Sequence, residues 1–466
     1  MHSHRLDPSD VSERVGDVPL DHRPEGATHR RQRVHHLHVP LLVLDPIDEP
    51  QRDDVEPELR ILDARERGAH RFDEPIAGAR KTHEDSIKQT VPVSRFRFPL
   101  LGLALAALFC GVWAGLLRLG WGLPQGRANL IELHGPLMVF GFLGTVISLE
   151  RAVALRRPWG YLAPSGTIAG AALLFAGVRQ GAGELALTLA GCVLVALFVV
   201  IVRARATASA SVLLLAAVLW VAGDALWLAG FSLVQVVPWW AGFLVLTIVG
   251  ERLELAALAR LTRLGQALFA ALTVLFLAGL ALSAVDADAG IRLGGAALAG
   301  YALWLGRYDI ARRTVRRPGL PRFVALALLP GYLWLGVGGV LGLRHGAVVA
   351  GPAHDAELHA IFLGFVFSMI FGHAPVIFPG VLGIAIPFRR LFYGHLALLH
   401  AGLVLRIAGD LGGDYRLTQW GGLLNATAIG IFLAVTVGTA AYARLQRRTR
   451  RAVADRAAGV PSGAGR

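Results

Sequence analysis

Residues 134–151 read HGPLMVFGFLGTVISLER, and this stretch decides what kind of protein the chain is. Between His134 and Glu150 there is no ionisable side chain. A helix rises about 1.5 Å per residue, so such a run with its flanks can cross roughly 30 Å of hydrocarbon. The run is not alone. Apolar stretches of comparable length recur near 98–120, 128–150, 160–179, 183–203, 208–231, 237–259, 265–285, 290–306, 322–343, 354–381, 389–410 and 417–443. Gly, Pro and Arg mark the joints, as in Arg156-Arg157-Pro158 and Arg316-Arg317-Pro318. The expectation is an all-α integral membrane protein with twelve transmembrane helices over residues 95–446.

Composition points the same way. The 466 residues are 54% apolar and 17% charged, with a mean hydropathy of +0.53. A soluble domain holds about 45–50% apolar and about 25% charged residues. An ordinary cytosolic enzyme and a disordered chain are both excluded. The net charge of +13 is unevenly spread. Residues 1–94 carry 14 Lys and Arg against 19 Asp and Glu, whereas residues 95–466 carry 32 Arg, no Lys and 14 acids. Only two Cys occur, Cys110 and Cys192, both in apolar runs. That excludes a disulfide framework and a Cys-based zinc or iron–sulfur site.

The first 94 residues have no sustained period and a composition unable to bury a core. They are read as a disordered N-terminal extension or an over-extended reading frame, with Val91 or Val93 as an alternative start. The cluster His35, His36, His38 lacks a carboxylate or Cys partner at ligand spacing and reads as a solvated patch. Downstream, the Arg distribution sets an orientation. With the first span starting inside, 25 of the 32 Arg fall at inner span ends. Both termini are then cytoplasmic, and residues 447–466 form a basic cytoplasmic tail. The positive charge is topology, so no nucleic-acid partner is expected; the partner is the lipid bilayer. Trp121, Trp159, Trp239, Trp240 and Trp420 fall near span ends, where an aromatic belt is expected.

The chain also carries an internal repeat. GFLGTVISLER from Gly141 aligns without a gap to GFLVLTIVGER from Gly242, matching Glu150-Arg151 with Glu251-Arg252. GFVFSMIFGHA from Gly364 places His373 at the position of the two Glu. Spans 2, 6 and 10 are then equivalent, and the alignment admits three quasi-equivalent four-helix arcs. If so, these three spans line the centre and Glu150, Glu251 and His373 meet at similar depth on the inner side. There they either bind a metal ion or hold Arg151 and Arg252.

Ionisable groups inside a membrane are costly and usually functional. His134 and His359 each follow Glu-Leu and each lie within about two turns of the outer end of their spans. In the repeat alignment His359 matches Pro136, two residues from His134. Two residues on a helix turn through roughly 200°, so the two imidazoles use opposite flanks of equivalent helices and can face one another. Gly135, Met138, Gly141 and Gly364 beside them leave room for a flat guest. His373 lies fourteen residues beyond His359 on nearly the same face, but roughly 21 Å deeper. His395 and His400 are five positions apart and point apart. His345 and His354 read as loop residues, Glu150 and Glu251 as partners of the adjacent Arg, and Asp224 as either a carbonyl partner or a proton carrier.

The segment HGPLMVFGF from His134 resembles the HGHEMLFGF-type motif of the NnrS family, twelve-span bacterial membrane proteins associated with haem, copper and nitric oxide. The second His of that motif is Pro136 here, and its Glu is Leu137. Span 10 is similar through His359, Gly364 and Met369, with Gly372-His373 following closer than in the family pattern. A wider likeness is to the large subunit of haem-copper oxidases and nitric oxide reductases, with twelve spans in three arcs and His on helices 2 and 10 holding a low-spin haem. Their copper ligands come from helices 6 and 7, and here no His lies between His134 and His345. An oxygen-reducing copper centre of that kind is therefore not expected. The resemblance implies haem b as cofactor, with His134 and His359 as its iron ligands beside Met138 and Gly141. It also implies a bacterial cytoplasmic (inner) membrane location and a redox partner or nitric oxide. Copper remains an alternative metal. His373 is a further ligand candidate, with Glu150, Glu251, His395 and His400 as inner-side candidates. The competing functions are a proton-coupled secondary transporter and a non-catalytic membrane assembly protein.

Overall fold

The computed structural model describes residues 96–126, 129–178, 181–258, 261–383 and 386–457. The readings of the N-terminal extension, of the His35, His36, His38 cluster and of the tail beyond residue 457 lie outside these residues, as do some of the arginines counted for orientation. Every regular element among the described residues is helical. The twelve long helices are α1 (Arg97–Arg118), α2 (His134–Leu155), α3 (Leu162–Ala176), α4 (Ala182–Ala204), α5 (Ala208–Leu228), α6 (Leu233–Leu258), α7 (Arg263–Ser283), α8 (Ala287–Tyr308), α9 (Leu320–His345), α10 (Pro352–Leu382), α11 (Phe392–Gly412) and α12 (Tyr415–Ala457). Short turns of helix at Pro158–Tyr161 and Ala311–Thr314 join α2 to α3 and α8 to α9. Each of the twelve falls on one of the apolar runs.

Ten of the twelve are long and apolar enough to cross a membrane. The exceptions are α3, which has 15 residues, and α8, whose 22 residues include Asp288, Arg292 and Arg307. The exterior is apolar: Leu303, Leu333, Val274 and Leu264 are 77%, 68%, 67% and 65% exposed. His345 and His354 lie on helix ends rather than in loops, closing α9 and opening α10. Trp240 is a second departure. It is fully buried, whereas Trp420 and Trp159 remain at the exterior, as a belt requires.

Helices adjacent in sequence pack side by side, and α12 returns to touch α1. The three repeat-equivalent helices stand out by burial. α2 and α10 are each 67% buried and α6 is 61%, while every other span-length helix is half buried or less. They also touch one another. Phe140 of α2 stands 5.0 Å from Trp240 of α6, Phe142 of α2 stands 6.1 Å from Phe367 of α10, and α6 packs on α10.

The backbone repeats the equivalence in a way the residues alone do not show. α2 widens into a π-helix over Leu137–Gly144, and α10 does so over Ala360–Phe367. Superposing Gly141 on Gly364 puts the two wide segments in one register; one begins three residues after His134 and the other directly after His359. The equivalent first position in α6 is Pro238, inside a regular α-helix. π-Segments are rare and concentrate at functional sites.

A candidate ligand site between the central helices

The His134 and His359 rings face each other with centroids 6.4 Å apart and planes 23° apart. At that distance they do not stack in contact. His134 Nδ1 is 2.7 Å from the Gly111 carbonyl oxygen of α1. His359 Nδ1 is 2.8 Å from the Asp355 carbonyl oxygen one turn earlier and 3.3 Å from the Asp355 carboxylate. A carbonyl oxygen only accepts, so each Nδ1 carries the proton and each Nε2 keeps its lone pair. This is the state of a metal-ligating imidazole whose second nitrogen is tied to a backbone carbonyl.

Two other elements hold the pair. Gly111 and Gly115, one turn apart on α1, form a notch for α2. A Cβ on Gly111 would meet Met138 Sδ at 2.7 Å, and one on Gly115 would meet His134 Cε1 at 2.8 Å. From α11, Arg406 donates to the two Asp355 carboxylate oxygens at 2.9 and 3.1 Å. Asp355 therefore fixes both an imidazole and a guanidinium. The cavity beside the rings, about 140 Å³, is lined by His134, His359, Gly115, Gly135, Met138 and Arg406 among mostly apolar neighbours.

The structure sorts the remaining candidates. Met138 and Gly135 line the cavity, but Gly141 does not: a Cβ there would meet Ala107 of α1 at 2.7 Å, so Gly141 serves helix approach. Gly364 likewise packs against Trp334 of α9. At the other end of the central helices, Arg151 hydrogen-bonds Glu251 and lies 3.7 Å from Glu150. Arg252 turns instead to Asp309, at 3.8 Å. The Glu pair thus holds Arg151 alone, and among the described residues no group of three His, Cys, Asp or Glu side chains gathers there. His373 donates from Nδ1 to the Met369 carbonyl at 2.7 Å, away from the cavity.

The α11 histidines do point apart. His400 Nδ1 accepts the Trp334 indole N–H at 3.1 Å, which leaves its proton on Nε2, 3.4 Å from the Ser368 hydroxyl. His395 is fully buried among Phe323, Phe371, Phe392 and Phe432. Asp224 accepts indole N–H groups from Trp220 at 2.7 Å and Trp240 at 3.0 Å, so it bonds side chains rather than a helix carbonyl.

Gly111, Gly115, Asp355 and Arg406 were not singled out by the sequence reading. Their signals are visible in retrospect. Gly111-Val-Trp-Ala-Gly115 is a small-xxx-small close-approach motif. Arg406 is an isolated charge inside an apolar run, which asks for a partner.

None of the curated proteins matches the chain. A family model described as a domain of unknown function, DUF8744, matches residues 97–441, from the first residue of α1 into α12. That region contains the whole His134–His359 site, and the chain belongs to the DUF8744 family.

Proposed function

We propose that the chain is a twelve-span protein of the bacterial cytoplasmic membrane that holds haem b between α2 and α10, with His134 and His359 as the two iron ligands. The observation that carries this reading is the ring separation. With both Nε2 atoms aimed at one metal, two metal–nitrogen bonds of about 2 Å, each extended by about 1.1 Å from nitrogen to ring centre, would set the centroids about 6.3 Å apart; the rings stand at 6.4 Å. Among the described residues neither Nε2 has a hydrogen-bond partner, and both rings are held through Nδ1. The exposed leucines and valines of the outer helices suit lipid contact. The helix count includes α3 and α8 as the two spans that depend on packing against their neighbours.

Bound haem would supply a one-electron couple, and a site in which His134 and His359 both held the iron would suit electron transfer more than gas binding. The chain's own contribution is orientation. Gly111 and Asp355 fix the tautomers, Gly115 and Gly135 keep the wall thin, and Arg406 offers a guanidinium to a carboxylate of the guest. A flat macrocycle would need more room than the cavity gives, and the flexible Met138 side chain in its wall would have to yield. With the NnrS resemblance, this supports a role in respiratory electron transfer or nitric oxide handling.

One observation favours a second metal. The compact cavity and the Met138 thioether suit a copper(I) ion between the same two imidazoles, since soft ligands select that state. The absorption spectrum and metal content of the purified full chain separate the two. A Soret band that vanishes in His134→Ala and in His359→Ala supports haem. A colourless protein carrying one copper, lost in the same variants, assigns the site to copper. A protein with neither ends both readings and returns the transporter and assembly functions.

A further inference from the structure

The Glu150 end of the bundle holds a second cavity, about 510 Å³, bounded by the ends of α6 and α8, the start of α7 and the turn Ala311–Thr314. Its wall carries Arg307, Arg312, Arg313 and Arg316. Orientation in a membrane requires arginines near the inner span ends, but it does not require four of them around one hollow. Their donors are also uncommitted to acids, unlike those of four other arginines. Arg151, Arg252, Arg292 and Arg406 each face a carboxylate within 4.0 Å. Among the described residues, none of the four cavity arginines does so.

The one carboxylate in the wall is turned inward. Asp309 is 3% exposed. Its Oδ1 accepts the Ala311 N–H at 2.7 Å, and its Oδ2 faces Arg252 behind the wall at 3.8 Å. Asp309 is therefore engaged by the backbone and by Arg252 rather than by the four cavity arginines. Two of the four arginines are braced. The Arg307 guanidinium lies 5.3 Å over the Tyr308 ring, and Arg312 donates to the Arg307 carbonyl at 3.1 Å. Ala256 and Leu261 add an apolar patch to the wall.

We propose that this cavity binds a phosphate-bearing anion, held by Arg307, Arg312, Arg313 and Arg316. Guanidinium forks match phosphate oxygens in bidentate pairs, and four of them suit a group with two phosphates. Two sources share that chemistry: the headgroup of an acidic phospholipid at the inner leaflet, and a soluble pyrophosphate-type anion. The site is independent of the metal between His134 and His359.

The test uses the full chain in neutral detergent and follows thermal unfolding with three additions: diphosphatidylglycerol, phosphatidylcholine and inorganic pyrophosphate. Diphosphatidylglycerol or pyrophosphate should raise the unfolding temperature of the natural protein, and phosphatidylcholine should not. Whichever of the two acts identifies the source. In Arg312→Gln/Arg313→Gln/Arg316→Gln the response should need at least about tenfold more of the same addition, since several charge-assisted bonds are lost. Absorbance at the His134–His359 site should not change. If the triple variant fails to fold, Arg313→Gln and Arg316→Gln singly should each weaken the response severalfold. No response by the natural protein, or an undiminished response in the variants, overturns the proposal.

Discussion

The two ends of the central helices treat their ionisable groups in opposite ways. At the Glu150 end, the arginines carried by the central helices are consumed locally: Arg151 by Glu251 and Glu150, and Arg252 by Asp309. At the His134 end, hydrogen bonds hold each imidazole through Nδ1, and both rings line a cavity with no partner at Nε2 among the described residues. A polar group whose capacity is filled by its neighbours is a staple. One whose orientation is fixed while its lone pair stays free is prepared for a guest. The comparison is direct because α2 supplies residues to both ends.

The largest expected effect breaks the His134 end. His134→Ala or His359→Ala should each abolish the metal or haem content measured on the purified protein. One remaining imidazole cannot close a two-ligand site, so retention near the natural level in either variant would break the contrast. Asp355→Ala should come next. It leaves the Arg406 guanidinium, 7% exposed, without its carboxylate. Removing one partner of a buried pair destabilises by about 3–5 kcal/mol, although Asp355 itself is partly exposed, which places the expectation at the lower limit. Thermal unfolding of the metal-free protein reads this directly. The Asp355 carbonyl survives the substitution, so His359 keeps its tautomer and the ligand spectrum should weaken rather than vanish.

A pair of glycine substitutions sharpens the comparison within one helix contact. Gly115→Ala places a methyl 2.8 Å from His134 Cε1, and Gly141→Ala places one 2.7 Å from the Ala107 methyl. Both overpack the α1–α2 contact and should cost about 1–3 kcal/mol in thermal or denaturant unfolding. Only the first pushes on a ligand ring. Gly115→Ala should therefore shift the metal-linked absorption or lower its amount, and Gly141→Ala should leave it unchanged at equal stability loss.

How far the sequence went follows from which signals are local. The apolar runs locate all twelve long helices because each run is a property of one segment. The gapless GFLGTVISLER repeat pointed to α2, α6 and α10 as the central helices, since equivalence needs only alignment. The His134–His359 pair was legible for the same reason, combining depth along the helix with a two-residue offset. The π-segments, the Gly111–Gly115 notch and the Asp355–Arg406 brace were not. Each depends on which neighbour a helix meets, and a single segment does not encode that. Gly141 was misplaced for this reason: beside the histidine in sequence, it faces α1 once the backbone turns. Trp240 looked like belt because it lies near a span end, but Asp224 and Phe140 are waiting for it in the core.

The smallest effect belongs to the Glu150 end. Glu251→Gln removes the charge that Arg151 faces most closely while keeping an oxygen that accepts from it. Glu150 remains 3.7 Å from the same guanidinium and takes over part of its compensation. Both carboxylates are about a third exposed or less, at 32% and 27%. Water therefore screens the pair, and the loss should stay within about 1 kcal/mol in denaturant unfolding. The metal content and absorption at His134 and His359 should match those of the natural protein, since the disturbed pair lies four to five turns further along α2, roughly 24–26 Å away. A change in the ligand spectrum of Glu251→Gln would show that the two ends are coupled through the central helices, and the division between staple and site would no longer stand.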